Sequence, residues 1–367
     1  MQALPNTLAW EDAALLQLRA LYETYGYRRY RMGKFEPYDL YRENRNFLVS
    51  DSVITFTDAG GRLMALKPDV TMSIVKNTQP DTVRQKLHYN ENVFRLAPGT
   101  SEYREIRQIG LEYIGCAGGY DEAETVLLAL KSLEIVSPEY LLAVSHMGLI
   151  SGILADCGFS GELHDRALEA LRHRNLHELA ALADAAGTAE DRRTLLLTAA
   201  ALSEPVLSAA EKLRRYELRA QASEALDELA ELERALAAVE SAERLVLDLT
   251  VVNDMAYYNG IVFQGYIQNV PRAVLTGGRY DNLLRRFGKP QQAMGFALYI
   301  GELSRIFTET RTYDADILLV CGDADPAEVL RAVTALTAEG YSVLAAPEAD
   351  ASVRTREVRT LTEEVPK

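Results

Sequence analysis

The chain has 367 residues, 48% of them apolar, and a formal net charge of −14 at pH 7, so it can form two or three domains with a sizeable core. Proteins that wrap nucleic acid neutralise phosphates with clustered Lys and Arg, and this acidic balance argues against that class. Cys116, Cys157 and Cys321 are far apart and lack metal-ligand spacing, which predicts no metal site, no disulfide framework and a cytoplasmic location. No apolar run reaches the ~20 residues of a membrane helix, and the acidic start, interrupted by Pro5, resembles no signal or transit peptide.

The first part of the chain predicts a helix followed by several strands. Apolar residues at helical spacing predict a helix over residues 8–24. Two β-rich runs around the turn "DAGG" predict a hairpin, and "MSIVKNTQ" predicts a helix start. The segments "KLHYNENVFRLAP" and "EYREIRQIGLEYIG" predict two strands joined by a polar loop. Residues 121–135 and 142–157 are predicted to form amphipathic helices.

The composition changes near residue 160. From about 160 to 243 the chain consists mostly of Ala, Leu, Glu and Arg, which predicts a helical insertion. Strand character returns in "RLVLDLTVV" and "GIVFQGYI"; "GGRYDNLLRRFG" predicts a glycine turn entering a helix, and "QAMGFALYIGELSRIF" a strand leading into one. Residues 313–367 form a compact β-α-β pattern in which Gly340 ends the helix. The pattern therefore predicts one domain over 1–310 and a short second unit over 313–367.

The predicted strand "REIRQIGLEYIG" carries candidate ligand-binding groups. Because side chains alternate along a strand, Gln108, Gly110 and Glu112 share one face. An amide and a carboxylate on either side of a glycine leave a gap that suits a small ligand with an ammonium group. The alternative is a solvent-facing strand surface without a ligand. The opposite face, predicted to be core, carries Ile109, Leu111 and Tyr113.

Three further segments offer candidate residues, each with a simpler structural alternative. If "LKPDVT" is extended, as Pro68 favours, Asp69 and Thr71 share one face; otherwise both belong to a turn. Arg95 lies within a strand-like run, and a buried Arg needs an anion from either a partner carboxylate or a ligand. The paired glycines of "LTGGRYD" permit close backbone approach or form a tight turn.

Taken in order over roughly residues 8–310, these segments resemble the catalytic domain of class II histidyl-tRNA synthetases. The family stretches LRPEGT, FRxE and QxGxE correspond here to "LKPDVT", "FRLA" and "QIGLE". The family stretches RGLDYY, GGRYD and VGFAIGLERL correspond to "NDMAYY", "GGRYD" and "MGFALYIGEL". The resemblance implies an α+β fold with a mostly antiparallel sheet of six or seven strands, flanked by helices. The segment after residue 313 resembles the start of an anticodon-binding domain.

The resemblance also implies which residues form an amino-acid pocket. Glu112 is expected to be ionised at neutral pH and to pair with the ammonium or imidazole of a bound histidine, with Gln108 bonded to the same ligand. The residues at the family's histidine-holding positions are Asp69, Thr71, Arg95, Gln108, Glu112, Tyr257, Tyr258 and Tyr280.

Three departures from the family pattern concern ATP chemistry. Asn253 replaces the arginine of RGLDYY, Glu302 replaces the ATP-binding arginine at the end of motif 3, and Ala97 replaces the adenine-contacting glutamate. Two positive charges that face the polyphosphate in the family thus become one neutral group and one negative group. Losing a single such donor costs about 10²–10³ in rate. These departures imply that the catalytic machinery is lost while the amino-acid pocket is kept.

A lost ATP site beside an intact pocket resembles the regulatory-subunit family of ATP phosphoribosyltransferase. That resemblance implies a subunit without catalysis, cofactor, metal, tRNA or membrane association. It implies a short-form catalytic subunit (HisG) as partner in a hetero-octamer, a homodimer through the class II core, and L-histidine as feedback effector. The alternatives are a divergent histidyl-tRNA synthetase or other ATP-dependent amino-acid ligase, and a stand-alone amino-acid sensor.

Overall fold

The computed structural model describes residues 10–44, 53–81, 83–96, 102–116, 118–239, 241–252, 257–303 and 313–361. The chain divides into two compact units, Ala14–Arg305 and a second formed by Met1–Ala13 with Ile306–Lys367. The predicted domain boundary between 310 and 313 touches residues 304–312, which lie outside the described residues.

The described residues form both strands and helices, including an unbroken run of helices between β7 and β8. The strands are β1 (Arg28–Arg29), β2 (Phe35–Pro37), β3 (Thr55–Thr57), β4 (Leu63–Leu66), β5 (Gln85–Leu96), β6 (Tyr103–Ile114), β7 (Tyr140–His146), β8 (Leu245–Leu247), β9 (Ile261–Ile267), β10 (Leu275–Arg279), β11 (Ala293–Tyr299), β12 (Ala315–Val320), β13 (Val343–Ala346) and β14 (Thr355–Thr360). The helices are α1 (Trp10–Thr24), α2 (Tyr38–Arg42), α3 (Thr71–Asn77), α4 (Gly119–Val136), α5 (Met147–Asp156), α6 (Glu162–Arg172), α7 (Leu176–Ala185), α8 (Glu190–Ala201), α9 (Val206–Leu213), α10 (Ala220–Ala237), α11 (Asp281–Arg286) and α12 (Pro326–Ala338).

The core of the larger unit is an eight-stranded sheet in the order β1-β5-β6-β11-β10-β9-β7-β8. Its neighbours are antiparallel except at the two edges, where β1 pairs with β5 and β7 with β8 in parallel. The predicted mostly antiparallel sheet is confirmed, but six or seven strands was an underestimate. The edge strands β1 and β8 span two and three residues, too few to show an alternating pattern.

The two longest strands are those that the sequence pattern predicts most clearly. β5 and β6 are 12 residues each and pair in one continuous antiparallel register. The predicted hairpin around "DAGG" is confirmed as β3 and β4, which form a small separate sheet with β2.

One predicted helix, over residues 142–157, is wrong in its first half. Tyr140–His146 forms β7, which pairs with β9 and β8, and the helix α5 begins only at Met147. The continuous apolar run is compatible with a buried strand or a buried helix, and only the neighbouring strands decide between them. The change occurs at His146, whose Nδ1 accepts the Gly148 backbone N–H and so caps α5.

Helices α1 and α4 cover one face of the sheet. Tyr22 of α1 lies 2.8 Å, OH to Oγ, from Ser132 of α4 and packs its ring edge-on against Phe296 of β11. α4 also contacts β7, β9 and β11. This face is therefore closed by helices, and the opposite face of the central strands is open for a site.

The predicted helical insertion is confirmed as α6 to α10, which lie between Glu162 and Ala237. Its last helix, α10, packs closely on α5. A Cβ added at Gly152 of α5 would lie 2.6 Å from the Ala222 Cβ of α10. The glycine therefore sets the distance between the insertion and the sheet unit.

The substitution Gly152→Ala is expected to lower the free energy of unfolding by about 1–3 kcal/mol, because the added methyl forces α5 and α10 apart. Urea denaturation of both proteins measures the difference. The matched test is the double variant Gly152→Ala with Ala222→Gly, which removes the opposing methyl and should recover part of the loss. No recovery in the double variant would show that this contact does not set the packing.

The smaller unit contains a parallel sheet in the order β13-β12-β14, with α12 connecting β12 to β13. The predicted β-α-β pattern is confirmed, and a third strand, β14, is added. Asp325 accepts the Ala327 N–H at the start of α12, and Gly340, with φ +96°, follows its end. In the part of the chain that the structure describes, every helix is too short or too polar to cross a bilayer.

Candidate functional site

A cavity of about 640 Å³ opens on the face of the sheet opposite α1 and α4. Its floor is formed by β6, β11, β10 and β9, and its rim by the start of α3 and by part of the insertion. All eight residues predicted from the sequence line it: Asp69, Thr71, Arg95, Gln108, Glu112, Tyr257, Tyr258 and Tyr280.

The floor is arranged in rows that cross the strands. In one row Glu112 of β6 lies beside Gly295 of β11 and Gly278 of β10. The next row contains small or polar residues, Gly110, Ala297, Thr276 and Gln264. The third pairs Gln108 with Tyr299. The predicted shared face of Gln108, Gly110 and Glu112 is therefore confirmed, and it faces the cavity.

The glycines of the floor make room for side chains of this chain. A Cβ at Gly110 would lie 2.5 Å from the hydroxyl oxygen of Tyr89. A Cβ at Gly295 would lie 1.9 Å from Oε2 of Glu112. The predicted ligand gap beside Gly110 is thus occupied by the Tyr89 side chain. The free space of the cavity lies above this layer, next to Glu112 and the tyrosines.

Glu112 is the buried carboxylate at the centre of the site, with 2% of its surface exposed. Thr71 Oγ1 donates to its Oε1 and Tyr280 OH to its Oε2, each at 2.5 Å. Burial raises the pKa of Glu112 to about 8; the two hydrogen bonds oppose this rise, and the nearby Asp69 adds to it. In the ligand-free pocket Glu112 is therefore largely protonated at neutral pH; that it is ionised when it pairs with a bound histidine stays a prediction. A cationic ligand would favour the ionised form.

Asp69 and Thr71 reach the site from a helix start rather than from a strand. Thr71 is the first residue of α3, and Asp69 Oδ1 accepts the Met72 N–H at 2.8 Å. Of the two alternatives, an extended segment or a turn, the structure has a turn that leads into α3, where the Met72 N–H offers Asp69 a bond that a strand would not. Burial raises the pKa of the Asp69 carboxyl, and Arg95 opposes this rise.

Arg95 has an anionic partner within the chain and also lines the cavity. Its Nε donates to the Pro68 carbonyl oxygen at 2.7 Å, and its Nη2 lies 3.6 Å from Asp69 Oδ2. The longer of these contacts leaves part of the guanidinium for an anionic group in the cavity. Both alternatives considered for this residue are therefore compatible with the structure.

Three tyrosines form an aromatic wall next to Glu112. The ring centroids of Tyr257 and Tyr258 are 4.5 Å apart, and those of Tyr257 and Tyr280 are 5.8 Å apart. Burial raises the pKa of all three phenols, so they stay neutral near pH 7. The wall therefore offers flat apolar surface with hydroxyl groups at its edge, which suits a small aromatic ring.

The paired glycines of "GGRYD" do not form a turn. Gly277 and Gly278 lie within β10, and a Cβ at Gly278 would be 2.8 Å from the ring of Tyr258. The close approach predicted there is made by this tyrosine. Gly278 therefore leaves room for the aromatic wall to pack against the sheet.

The departures from the synthetase pattern fall largely outside the described residues. Ala97 and Asn253 are not among them, and of Glu302 only the backbone, in a short 3-10 turn, is described. The loss of ATP chemistry at these positions stays a prediction.

Sequence reasoning missed the contribution of the helical insertion to the site. Arg172, at the end of α6, lines the cavity together with Thr250. Two residues on, Arg174 has a φ of 49°, unusual for a residue other than glycine, and pairs with Asp248. Asp248 in turn accepts both the N–H and the hydroxyl of Thr250. Asn175, the N-cap residue of α7, indicates a turn at this point of the sequence. That the turn lies over the cavity depends on the fold.

Comparison with protein families gives a match to the model described as histidyl-tRNA synthetase over residues 2–303. A curated ATP phosphoribosyltransferase regulatory subunit from Moorella thermoacetica is 31% identical over 345 residues, which cover 91% of this chain and 88% of that protein. One from Symbiobacterium thermophilum is 29% identical over 356 residues, covering 92% and 88%.

Solved structures share the fold at lower identity. An ATP phosphoribosyltransferase regulatory subunit/histidyl-tRNA synthetase from Bacillus halodurans superposes with a TM-score of 0.79 at 23% identity, covering 97% of this chain and 96% of that one. A chain of the HisG:HisZ complex from Thermotoga maritima gives 0.62 at 17% identity, covering 80% and 98%. These likenesses confirm the predicted class II synthetase-like α+β fold. By its family match and its curated relatives, the chain belongs to the histidyl-tRNA synthetase family and, within it, to the ATP phosphoribosyltransferase regulatory subunits.

Proposed function

We propose that the chain is a non-catalytic regulatory subunit of ATP phosphoribosyltransferase, which catalyses the first step of histidine biosynthesis. In this proposal it activates a short catalytic subunit and binds L-histidine as feedback effector. The observation that carries the proposal is the buried Glu112, held by Thr71 and Tyr280 in an amino-acid-sized site of a chain 31% identical to a curated regulatory subunit.

The cavity offers a complementary group for each part of a histidine molecule. The ionised carboxylate of Glu112, with Asp69 nearby, suits the α-ammonium or a protonated imidazole. Tyr257 and Tyr258 offer a flat surface to the ring, and Gln108 lies on the floor as a hydrogen-bonding group. Arg95 suits the ligand carboxylate. Such charge-assisted bonds contribute about 1.5–3 kcal/mol each.

The further parts of the proposal rest on the family resemblance. Asn253, Ala97 and Glu302 replace groups that handle ATP in the synthetases, and this supports a subunit that neither activates amino acids nor charges tRNA. We propose a homodimer through the class II core, a hetero-octamer with the catalytic subunit, and a cytoplasmic location. We propose that residues 1–310 carry these roles and that residues 313–367 form a separate unit.

The decisive experiment combines the purified chain with the short catalytic subunit of the same organism. Phosphoribosyl transfer to ATP is measured for each protein alone and for the mixture, with and without histidine. Activity only in the mixture, lowered by histidine, is the expected result. Full activity of the catalytic subunit alone would overturn the activating role, and inhibition that persists without this chain would overturn the effector role.

A histidyl-tRNA synthetase is the second candidate, because the family model carries that description and Arg95 and "GGRYD" are kept. Histidine-dependent pyrophosphate exchange separates the two. The regulatory subunit should give no exchange above a protein-free blank. Robust exchange by the purified chain would reverse the order of the candidates.

A further inference from the structure

A second cavity, of about 630 Å³, lies behind the sheet, between the start of α4 and the second half of α10. We call it the α4–α10 groove. Its walls are largely apolar and include Leu127 of α4 together with Leu232, Ala235 and Leu236 of α10. It belongs to neither the histidine pocket nor its rim, and the proposed pocket chemistry makes no use of it.

Large apolar side chains extend from the groove into solvent. Tyr120 at the start of α4 is 74% exposed, and Val239 just beyond α10 is 56% exposed. Both line the groove. Exposed apolar residues that continue an apolar groove mark surfaces that another protein covers.

The charge of the groove indicates what kind of segment would bind there. Its exposed edge carries Glu228 and Glu231 of α10, whereas Glu122 and Glu124 in the lining are buried and pair with Arg279 and Lys86. The positive charge of Arg279 is neutralised by carboxylates of this chain, because its Nη1 donates to Glu122 at 3.1 Å and its Nε donates to Asp281 at 2.9 Å. The groove is therefore apolar along its walls and acidic at its rim, which complements an apolar segment with Lys or Arg.

The groove and the histidine pocket meet at one point of the chain. Arg279 ends β10 and lines the groove, and the next residue, Tyr280, lines the pocket and donates to Glu112. Asp281, which follows, binds the Arg279 guanidinium and accepts the Ala293 N–H of β11. Of these three consecutive residues, Arg279 thus contacts the groove, Tyr280 contacts the pocket, and Asp281 contacts both Arg279 and β11.

We propose that the α4–α10 groove is the docking surface for an apolar, basic segment of the catalytic subunit. This inference rests on the proposed function, because it names the same partner. Docking there places the partner directly behind the pocket that would hold histidine. A regulatory subunit needs such a connection, because an effector acts only through a difference in its affinity for two states.

The test compares variants on the rim with a matched variant elsewhere. Tyr120→Asp, Val239→Asp and Glu231→Lys change exposed groove positions, and Tyr103→Asp changes a tyrosine that is 52% exposed at the start of β6, outside the groove. Affinity for the purified catalytic subunit is measured by calorimetry. Each groove variant should bind about tenfold more weakly, whereas Tyr103→Asp should bind as the wild type does. Unchanged thermal unfolding and histidine affinity show that each variant is folded.

The other outcomes separate this inference from the proposed function. If the wild type binds the catalytic subunit and the groove variants bind equally well, the docking surface is wrong and the proposed function stands. If the wild type itself does not bind, both are wrong. If the groove variants alone lose self-association in sedimentation experiments while binding the catalytic subunit normally, the groove is a contact between copies of this chain, and the inference is overturned.

Discussion

Replacing Glu112 with alanine is expected to weaken histidine binding ten- to a hundredfold. The carboxylate is buried and is hydrogen-bonded by Thr71 and Tyr280, so its loss removes a charge-assisted bond to the ligand and leaves both hydroxyls without this partner. Calorimetric titration of histidine into the wild type and Glu112→Ala measures the change. Equal affinities would mean that histidine acts at another site.

The same carboxylate should make histidine binding depend on pH. With the pKa of Glu112 at about 8 in the ligand-free pocket, binding of a cation below pH 8 must release a proton. Affinity should therefore rise about fivefold from pH 7 to pH 8 and fall again at higher pH, as the α-ammonium group of the ligand loses its proton. Titrations in two buffers of different ionisation enthalpy count the proton. Glu112→Gln, which cannot ionise, should bind weakly and release no proton from this position.

Glu112→Gln should also change how the free energy of unfolding depends on pH, in a direction that the raised pKa determines. The pKa of Glu112 is raised on folding, from 4.5 to about 8, so the native state holds a proton that the unfolded chain loses. The contribution of the protonated Glu112 to the free energy of unfolding is fully present below pH 4.5 and is lost as the pH rises through 8. The glutamine variant should therefore be more stable than the wild type at pH 9 and should show no such gain at pH 4. A constant difference at both pH values would contradict the raised pKa.

Replacing Gly295 with alanine is expected to be among the most damaging single methyl additions in the pocket. The new Cβ would lie 1.9 Å from Glu112 Oε2 and 2.4 Å from the backbone oxygen of Leu111. The carboxylate can rotate away, but a backbone oxygen within a paired strand cannot. Unfolding free energy should fall by about 3 kcal/mol or more, and histidine binding should be lost with the displaced Glu112.

The control for this prediction is Gly119→Ala at the start of α4, where an added Cβ meets no heavy atom within 4 Å. It should leave the urea midpoint unchanged or raise it slightly, because alanine favours a helix more than glycine does. Equal effects of the two substitutions would show that the strand register around Gly295 differs from the one described.

Sequence periodicity predicts a helix or strand when the residues of that element carry the complete pattern by themselves. Polar and apolar residues alternate in β6 from Gln108 to Tyr113, and its pairing with β5 over 12 residues brings Gln108 and Glu112 to the site as expected. β7 shows no such signal, since its apolar run continues into α5 and only pairing with β9 makes it a strand. For Asp69 the sequence leaves an extended segment and a turn open, and the helix start at Thr71 decides between them.

The charge of Glu112 could not be predicted from the sequence for a different reason. A glutamate in an alternating strand is normally ionised, and its residue type carries no information on burial. Burial and the nearby charge of Asp69 raise the pKa, and the hydrogen bonds from Thr71 and Tyr280 oppose this rise; all three residues are distant from Glu112 in the chain. Family resemblance identifies the residue, but only the packed structure gives its protonation state.

The strand order has a consequence for how the pocket responds to its ligand. β6, β11, β10 and β9 are interior strands, each hydrogen-bonded on both sides, so their backbone amides should exchange with solvent only when the sheet opens cooperatively. The floor is thus preorganised, and little conformational entropy is lost there on binding. We expect ligand-dependent motion instead at the rim, which lies outside the sheet: the start of α3 and the insertion turn at Arg174. An effector would therefore bind to a rigid floor, and its binding would change the position of the rim.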